Sequence, residues 1–195
     1  MDTRWWARYG MVSSLDDEYI ASLIGPPLHS TFMKLFYSED NDLIEDAIDL
    51  YRKRYSEVGV FESKVYPGIT ELLELLYKNS YRLWVLTFKP RIWTEIIIKY
   101  FSFDQWLSGV FAPTLDERLL DKIELIESAL LTSGMIPSNT AIVGDRKEDI
   151  IAGSTSGIMT IAVTYGYGSR EEIVDAVPNY ICNSPNNIQY VIMSN

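Results

Sequence analysis

Cysteine is nearly absent. The 195-residue chain has one, Cys182, so no internal disulfide can form. That usage fits a reducing, cytoplasmic setting, and the residue itself reads as a small packed hydrophobe. Positive charge is also scarce: 17 Lys and Arg stand against 27 Asp and Glu, a formal net charge of -10. This balance argues against a nucleic-acid partner gripped through its phosphates and against an anionic membrane surface, yet leaves room for a local basic pocket. No apolar run approaches the ~20 residues that span a bilayer. The first ten residues, MDTRWWARYG, lack the apolar core and small-residue cleavage site of a signal peptide. There are no repeats and no low-complexity linker. What the chain has in quantity is apolar and aromatic residues, 47% and 13%. They suffice for the core of one sizeable domain, or of a core plus a small insertion.

The pattern along the chain changes once. Residues 1–65 read as helical: a short amphipathic stretch at Asp16 to Leu23, a break at Gly25-Pro26-Pro27, a second at His29 to Tyr37, and a third at Asp42 to Glu57. In the third, Leu43, Ile44, Ala47, Ile48, Tyr51 and Tyr55 fall on one face. Tyr66-Pro67-Gly68 is a turn and the expected boundary. Residues 66–195 then alternate. Helices are expected at Ile69 to Lys78, Trp93 to Tyr100, Lys122 to Thr132, Glu148 to Ser154 and Arg170 to Ala176. Strands are expected at Arg82 to Thr87, Gly109 to Phe111, Ala141 to Gly144, Met159 to Val163 and Tyr180 to Cys182. Such alternation predicts an α/β fold, a parallel sheet with helices on both faces, beside a helical N-terminal part.

Four residues gather chemistry at strand ends or helix starts. Thr87 closes the first strand, Lys122 opens a helix, and Asp145 and Asp149 follow the apolar run Ala141-Ile142-Val143, which ends at Gly144-Asp145. If the helix begins at Asp145, both carboxylates sit over its first turn, where two hard oxygen ligands suit Mg²⁺. A hydroxyl, a lysine and two acids on one sheet edge make a site for a phosphate held with a divalent metal. Each residue also has an ordinary reading. Thr87 is a β-branched strand residue, Lys122 a solvated lysine, and the acids an N-cap and a first-turn charge that favours the helix dipole.

Taken in order, these motifs resemble the haloacid-dehalogenase-like (HAD) hydrolase superfamily, closest to its phosphoglycolate-phosphatase-like branch with a helical cap. LIGPPLHSTF and YRKRYSEVGVFESKVYPGI match the cap, VLTFKP and LLDKIELIESAL the second and third motifs, GDRKED with IIAGSTSGI the fourth, and VTYGYGS the segment after it. The resemblance implies a Rossmannoid parallel sheet over residues 66–195 and a small α-helical cap over 1–65. It implies Mg²⁺-dependent hydrolysis of a small phosphorylated metabolite. Thr87 and the backbone at Phe88 would bind phosphoryl oxygens, with Lys122 neutralising charge. Asp145 would hold the metal, and Asp149 would support the metal or the lysine. Gly25, Pro26 and His29 would lie at the substrate-facing cap.

One family motif is missing. An apolar strand ending in D-x-D-G-T, whose first Asp is the nucleophile, should precede the cap and form the central strand. The only D-x-D here is Asp40-Asn41-Asp42, which follows no apolar strand, lacks the Gly-Thr, and reads as a helix N-cap. Three explanations are open: a truncated form of a longer protein; a degenerate relative whose N-terminal segment, Trp5-Trp6 included, fills the gap; or closure of the flanking strands on each other. The expectation is a phosphatase scaffold with little or no turnover, or a non-catalytic phosphate- and metal-binding module. An unfilled sheet centre also raises the chance of a homodimer. A receiver-like α/β domain suits the helical N-terminal part poorly.

Overall fold

The computed structural model describes residues 19, 23–24, 28–115 and 121–194. The chain divides into two compact units, residues 1–63 and 64–195. Among the described residues no helix is long and apolar enough to cross a membrane.

The first unit is helical where it is described. Helix α1 spans Leu28–Phe36 and α2 spans Asn41–Glu57, with a 3-10 turn at Gly59–Phe61. Helix α2 starts where the Asp40 carboxylate accepts the backbone N–H groups of Asp42 and Leu43, at 3.1 and 3.3 Å. The lone D-x-D is therefore a helix cap. Ile44, Ala47 and Ile48, spaced for one face, pack on Phe32 and Leu35 of α1. Tyr51 meets Phe32 edge-on and stacks on Tyr55. His29 lies in the first turn of α1 and is half-buried. Gly25 and Pro26, with most of the expected helix from Asp16 to Leu23, lie outside the described residues, as do Trp5 and Trp6.

The second unit carries the expected alternation. In chain order it runs α3 (Ile69–Lys78), β1 (Leu83–Leu86), α4 (Arg91–Tyr100), β2 (Leu107–Phe111), α5 (Lys122–Ser133), β3 (Ala141–Gly144), α6 (Lys147–Thr155), β4 (Met159–Val163), α7 (Arg170–Asp175), β5 (Tyr180–Cys182) and α8 (Pro185–Ser194). Helix α8 has no counterpart in the sequence expectations. It starts with Pro at its first position, where no N–H is needed, and anchors through Ile188.

All strand pairs are parallel, but they form two sheets: β1 with β2, and β3–β4–β5. The flanking strands have not closed on each other, and among the described residues no strand stands between β1 and β3. Burial follows from this. Strand β4, laddered on both sides, buries Thr160 through Val163; β1 is half-buried throughout, and Val143 in β3 is 43% exposed. Apolar clusters join the two sheets instead. Leu86 and Ile142 pack with Ile126 and Ala152 of α5 and α6. Leu83 and Ala141 pack with Leu72 and Leu76 of α3, Ile161 and Val163 of β4, and Ile188 of α8. Leu83 and Leu86 differ in strand parity, as do Ala141 and Ile142, so the two clusters lie on opposite faces.

Candidate functional site

The C-terminal ends of β1 and β3 deliver Thr87, Phe88 and Asp145, and the starts of α5 and α6 deliver Lys122 and Asp149, each held by its own local device. Past β1, the Thr87 N–H still donates to Phe111 O at 3.0 Å, carrying the ladder one residue further. Thr87 Oγ1 then accepts the Lys89 N–H at 3.1 Å, which turns the chain. The hydroxyl proton stays available for an acceptor such as a phosphate oxygen. Burial lowers the ammonium pKa of Lys89, two residues on.

Lys122 is the first residue of α5. Its position is fixed by a reciprocal cap: Glu124 N–H donates to Asp121 Oδ1 at 2.8 Å, and Asp121 N–H to Glu124 Oε2 at 3.0 Å. Lys122 Nζ lies 4.7 Å above the Phe88 ring and 2.9 Å from Asp149 Oδ1. Both side chains of that ion pair are only 14% exposed. One cation thus ties the residue after Thr87, beyond β1, to the helix that follows β3.

Helix α6 begins at Lys147, not at Asp145 as a shared first turn would need. Asp145 therefore lies in the loop before the helix, and Asp149 in its first turn. The Asp149 carboxylate is used on both oxygens, Oδ1 by Lys122 and Oδ2 by the Arg146 N–H at 3.3 Å. Asp145 Oδ2 accepts the Tyr167 N–H at 2.8 Å. From α7, Glu172 Oε1 takes the Lys147 N–H at 2.9 Å and pairs with Arg146 Nε at 3.0 Å. Glycines permit this crowding. A Cβ on Gly144 would collide with Asp149, and one on Gly166 with Asp145.

Mg²⁺ is bound by one or two carboxylates together with substrate oxygens and water. Asp145 fits that part, having one oxygen that no described residue engages. Asp149 fits the support of Lys122. No group of three His, Cys, Asp or Glu side chains able to hold a metal is gathered among the described residues. The structure thus brings Phe88, Lys122 and Asp149 into one cluster, with Thr87 and Asp145 at its two strand ends. Sequence reasoning missed Arg146, Glu172 and Tyr167. Their roles come from a loop and a helix that meet the site only in three dimensions.

Comparison with known proteins follows the same outline. The haloacid dehalogenase-like hydrolase family matches residues 3–163. A 5'-nucleotidase of Pseudomonas aeruginosa is 34% identical over 171 residues, 86% of this chain and 77% of that protein. The tyrosine-protein kinase PtkA of Mycobacterium tuberculosis is 30% identical over 153 residues, 78% of this chain, which spans about half (51%) of that longer protein. Among solved structures, a haloacid dehalogenase-like hydrolase of Streptococcus pneumoniae superposes with a TM-score of 0.84 at 28% identity, covering 95% of this chain and 85% of that one.

Proposed function

The chain belongs to the haloacid dehalogenase-like hydrolase family, and we propose that it binds a small phosphate monoester together with Mg²⁺ but turns it over slowly or not at all. The observation that carries the binding half is the Lys122–Asp149 pair. It is shielded from water, oriented by Asp121 and Glu124, and set over Phe88 beside Thr87. A lysine so held presents positive charge without needing to reorganise, which is what a phosphoryl group requires. In this reading Thr87 O–H and the backbone at Phe88 meet phosphoryl oxygens and Lys122 neutralises their charge. Asp149 positions Lys122. Asp145 would hold Mg²⁺, which when bound screens phosphate charge and orients the ester.

The catalytic half is proposed weak for a chemical reason. Hydrolysis through an aspartyl-phosphate needs a free carboxylate in line with the phosphorus. Asp40, in the only D-x-D of the sequence, caps α2, while Asp149 is committed to Lys122. The 5'-nucleotidase relative supports a phosphomonoester as ligand. The helical first unit would serve as a cap, with Gly25, Pro26 and His29 as substrate-facing candidates.

The test is hydrolysis of p-nitrophenyl phosphate with Mg²⁺ by the purified chain. Release at or near the buffer rate is expected. Turnover that disappears in Asp145→Ala would overturn the proposal of inactivity and restore an enzyme.

A further inference from the structure

Asp145 lies between β3 and α6, so no helical hydrogen bond fixes the turn that carries it. The segment after β4 supplies the hold instead. Tyr167 N–H donates to Asp145 Oδ2 at 2.8 Å. Gly168 lies so close to the Asp145 carbonyl that a Cβ there would strike it. Further along, Glu172 Oε1 accepts the Lys147 N–H at 2.9 Å and pairs with Arg146 Nε at 3.0 Å. Lys147 is the first residue of α6, so its N–H has no acceptor within that helix. One oxygen of α7 thus ties down the two residues that follow Asp145.

Glu172 is itself held in place. Ser169 Oγ accepts the Glu172 N–H at 3.0 Å and caps α7. The adjoining Ile173 is fully buried with Ile150 of α6 and Ala162 of β4. The Arg146 and Glu172 side chains are both mostly shielded from water. Groups that orient a metal ligand set metal affinity along with the ligand itself. We propose that Glu172 is a positioning residue for Mg²⁺: by holding Arg146 and Lys147 it fixes the turn from β3 into α6, and with it the direction of the Asp145 carboxylate. This rests on the assignment of Mg²⁺ to Asp145 above. The role lies in the reach of the oxygen rather than in its charge, since both contacts fall on Oε1 and an amide oxygen can accept both.

The test is calorimetric titration of Mg²⁺ at saturating inorganic phosphate, beside titration of phosphate without Mg²⁺, in the full chain and three variants. Glu172→Gln keeps the oxygen and removes the charge. Glu172→Asp keeps the charge and withdraws the oxygen by one methylene. Glu172→Ala removes both. The Asp and Ala variants should bind Mg²⁺ more weakly by on the order of tenfold. Their phosphate binding without Mg²⁺ should be unchanged, because Lys122 holds Asp149 through its own contact. The Gln variant should bind Mg²⁺ as the full chain does, and Gln against Asp decides the matter even where Ala does not fold. Gln weakened as much as Asp, or Asp binding like the full chain, would overturn the positioning role. Phosphate binding without Mg²⁺ that falls in step with Mg²⁺ affinity would overturn it too, by showing a general loss of structure. If Mg²⁺ adds nothing to phosphate binding by the full chain, the assignment of the metal to Asp145 falls, and the role of Glu172 with it.

Discussion

At the residue scale, the site depends on a few close contacts, and each can be broken singly. Gly144→Ala places a methyl where Asp149 already lies. The expected loss is about 2 kcal/mol of stability, by displacement of Asp149 from Lys122. Chemical denaturation measures it, and a variant as stable as the parent would show that the Asp149 carboxylate is free to move. Two tyrosines supply a pH signature. Burial, with Cys182, Tyr66 and Asp145 adding to it, pushes the Tyr165 hydroxyl up to about 12. In the first unit burial and Tyr55, opposed by Arg54, push Tyr51 up to about 12. Each folded-state value lies above the unfolded value near ~10. The stabilisation is therefore fully present below ~pH 10 and is lost as pH rises from there toward 12. Denaturation midpoints at pH 8 and pH 11 should show the fall, and Tyr165→Phe should lessen it. A variant that falls as steeply as the parent would remove Tyr165 from the account.

At the element scale, helix starts do the positioning. The reciprocal cap of α5 fixes where Lys122 begins. Asp121→Ala should cost about 1 kcal/mol in denaturant unfolding. It should also weaken phosphate binding while leaving the Lys122 side chain intact; unchanged binding would mean the cap stabilises without positioning. The strands themselves were legible from short apolar runs such as Ala141-Ile142-Val143 and Met159 to Val163, because parallel strands covered on both faces need no alternation. Helix α2 was legible from its periodic face, and Asp40 from its place before that face. The start of α6 was legible to within a residue, expected at Glu148 and found at Lys147, but the place of Asp145 relative to it was not. Asp145 looked like a first-turn acid, but its carboxylate is drawn to the Tyr167 N–H on another loop, and the helix opens two residues later. Nor was α8 legible, since Pro-Asn-Asn gives a weak start and only Ile188 and Pro185 are buried. Glu172 gave no sign because its partners, Arg146 and Lys147, are remote in sequence.

At the scale of the molecule, the separation of the two sheets governs behaviour. Among the described residues, strands β1 and β3 each have one edge without a strand partner, and Val143 of β3 is partly exposed. Such edges template pairing with another chain, while the net charge of -10 opposes it. Sedimentation velocity should show the apparent mass rising with protein and salt concentration, and Val143→Lys should suppress the rise. A monomer at all concentrations would show that the apolar clusters shield these edges sufficiently. The same separation gives Lys122 its importance, since it reaches from the residue after Thr87 to the helix after β3 where no backbone ladder does. The central claim is that this lysine, with Asp145, keeps a working phosphate and Mg²⁺ site. Calorimetric titration of inorganic phosphate into the chain, with and without Mg²⁺, tests it most directly. Saturable binding strengthened by Mg²⁺ is predicted, weakened at least tenfold in Lys122→Met and stripped of its Mg²⁺ dependence in Asp145→Asn. No heat in the parent chain, or equal binding in both variants, would contradict it.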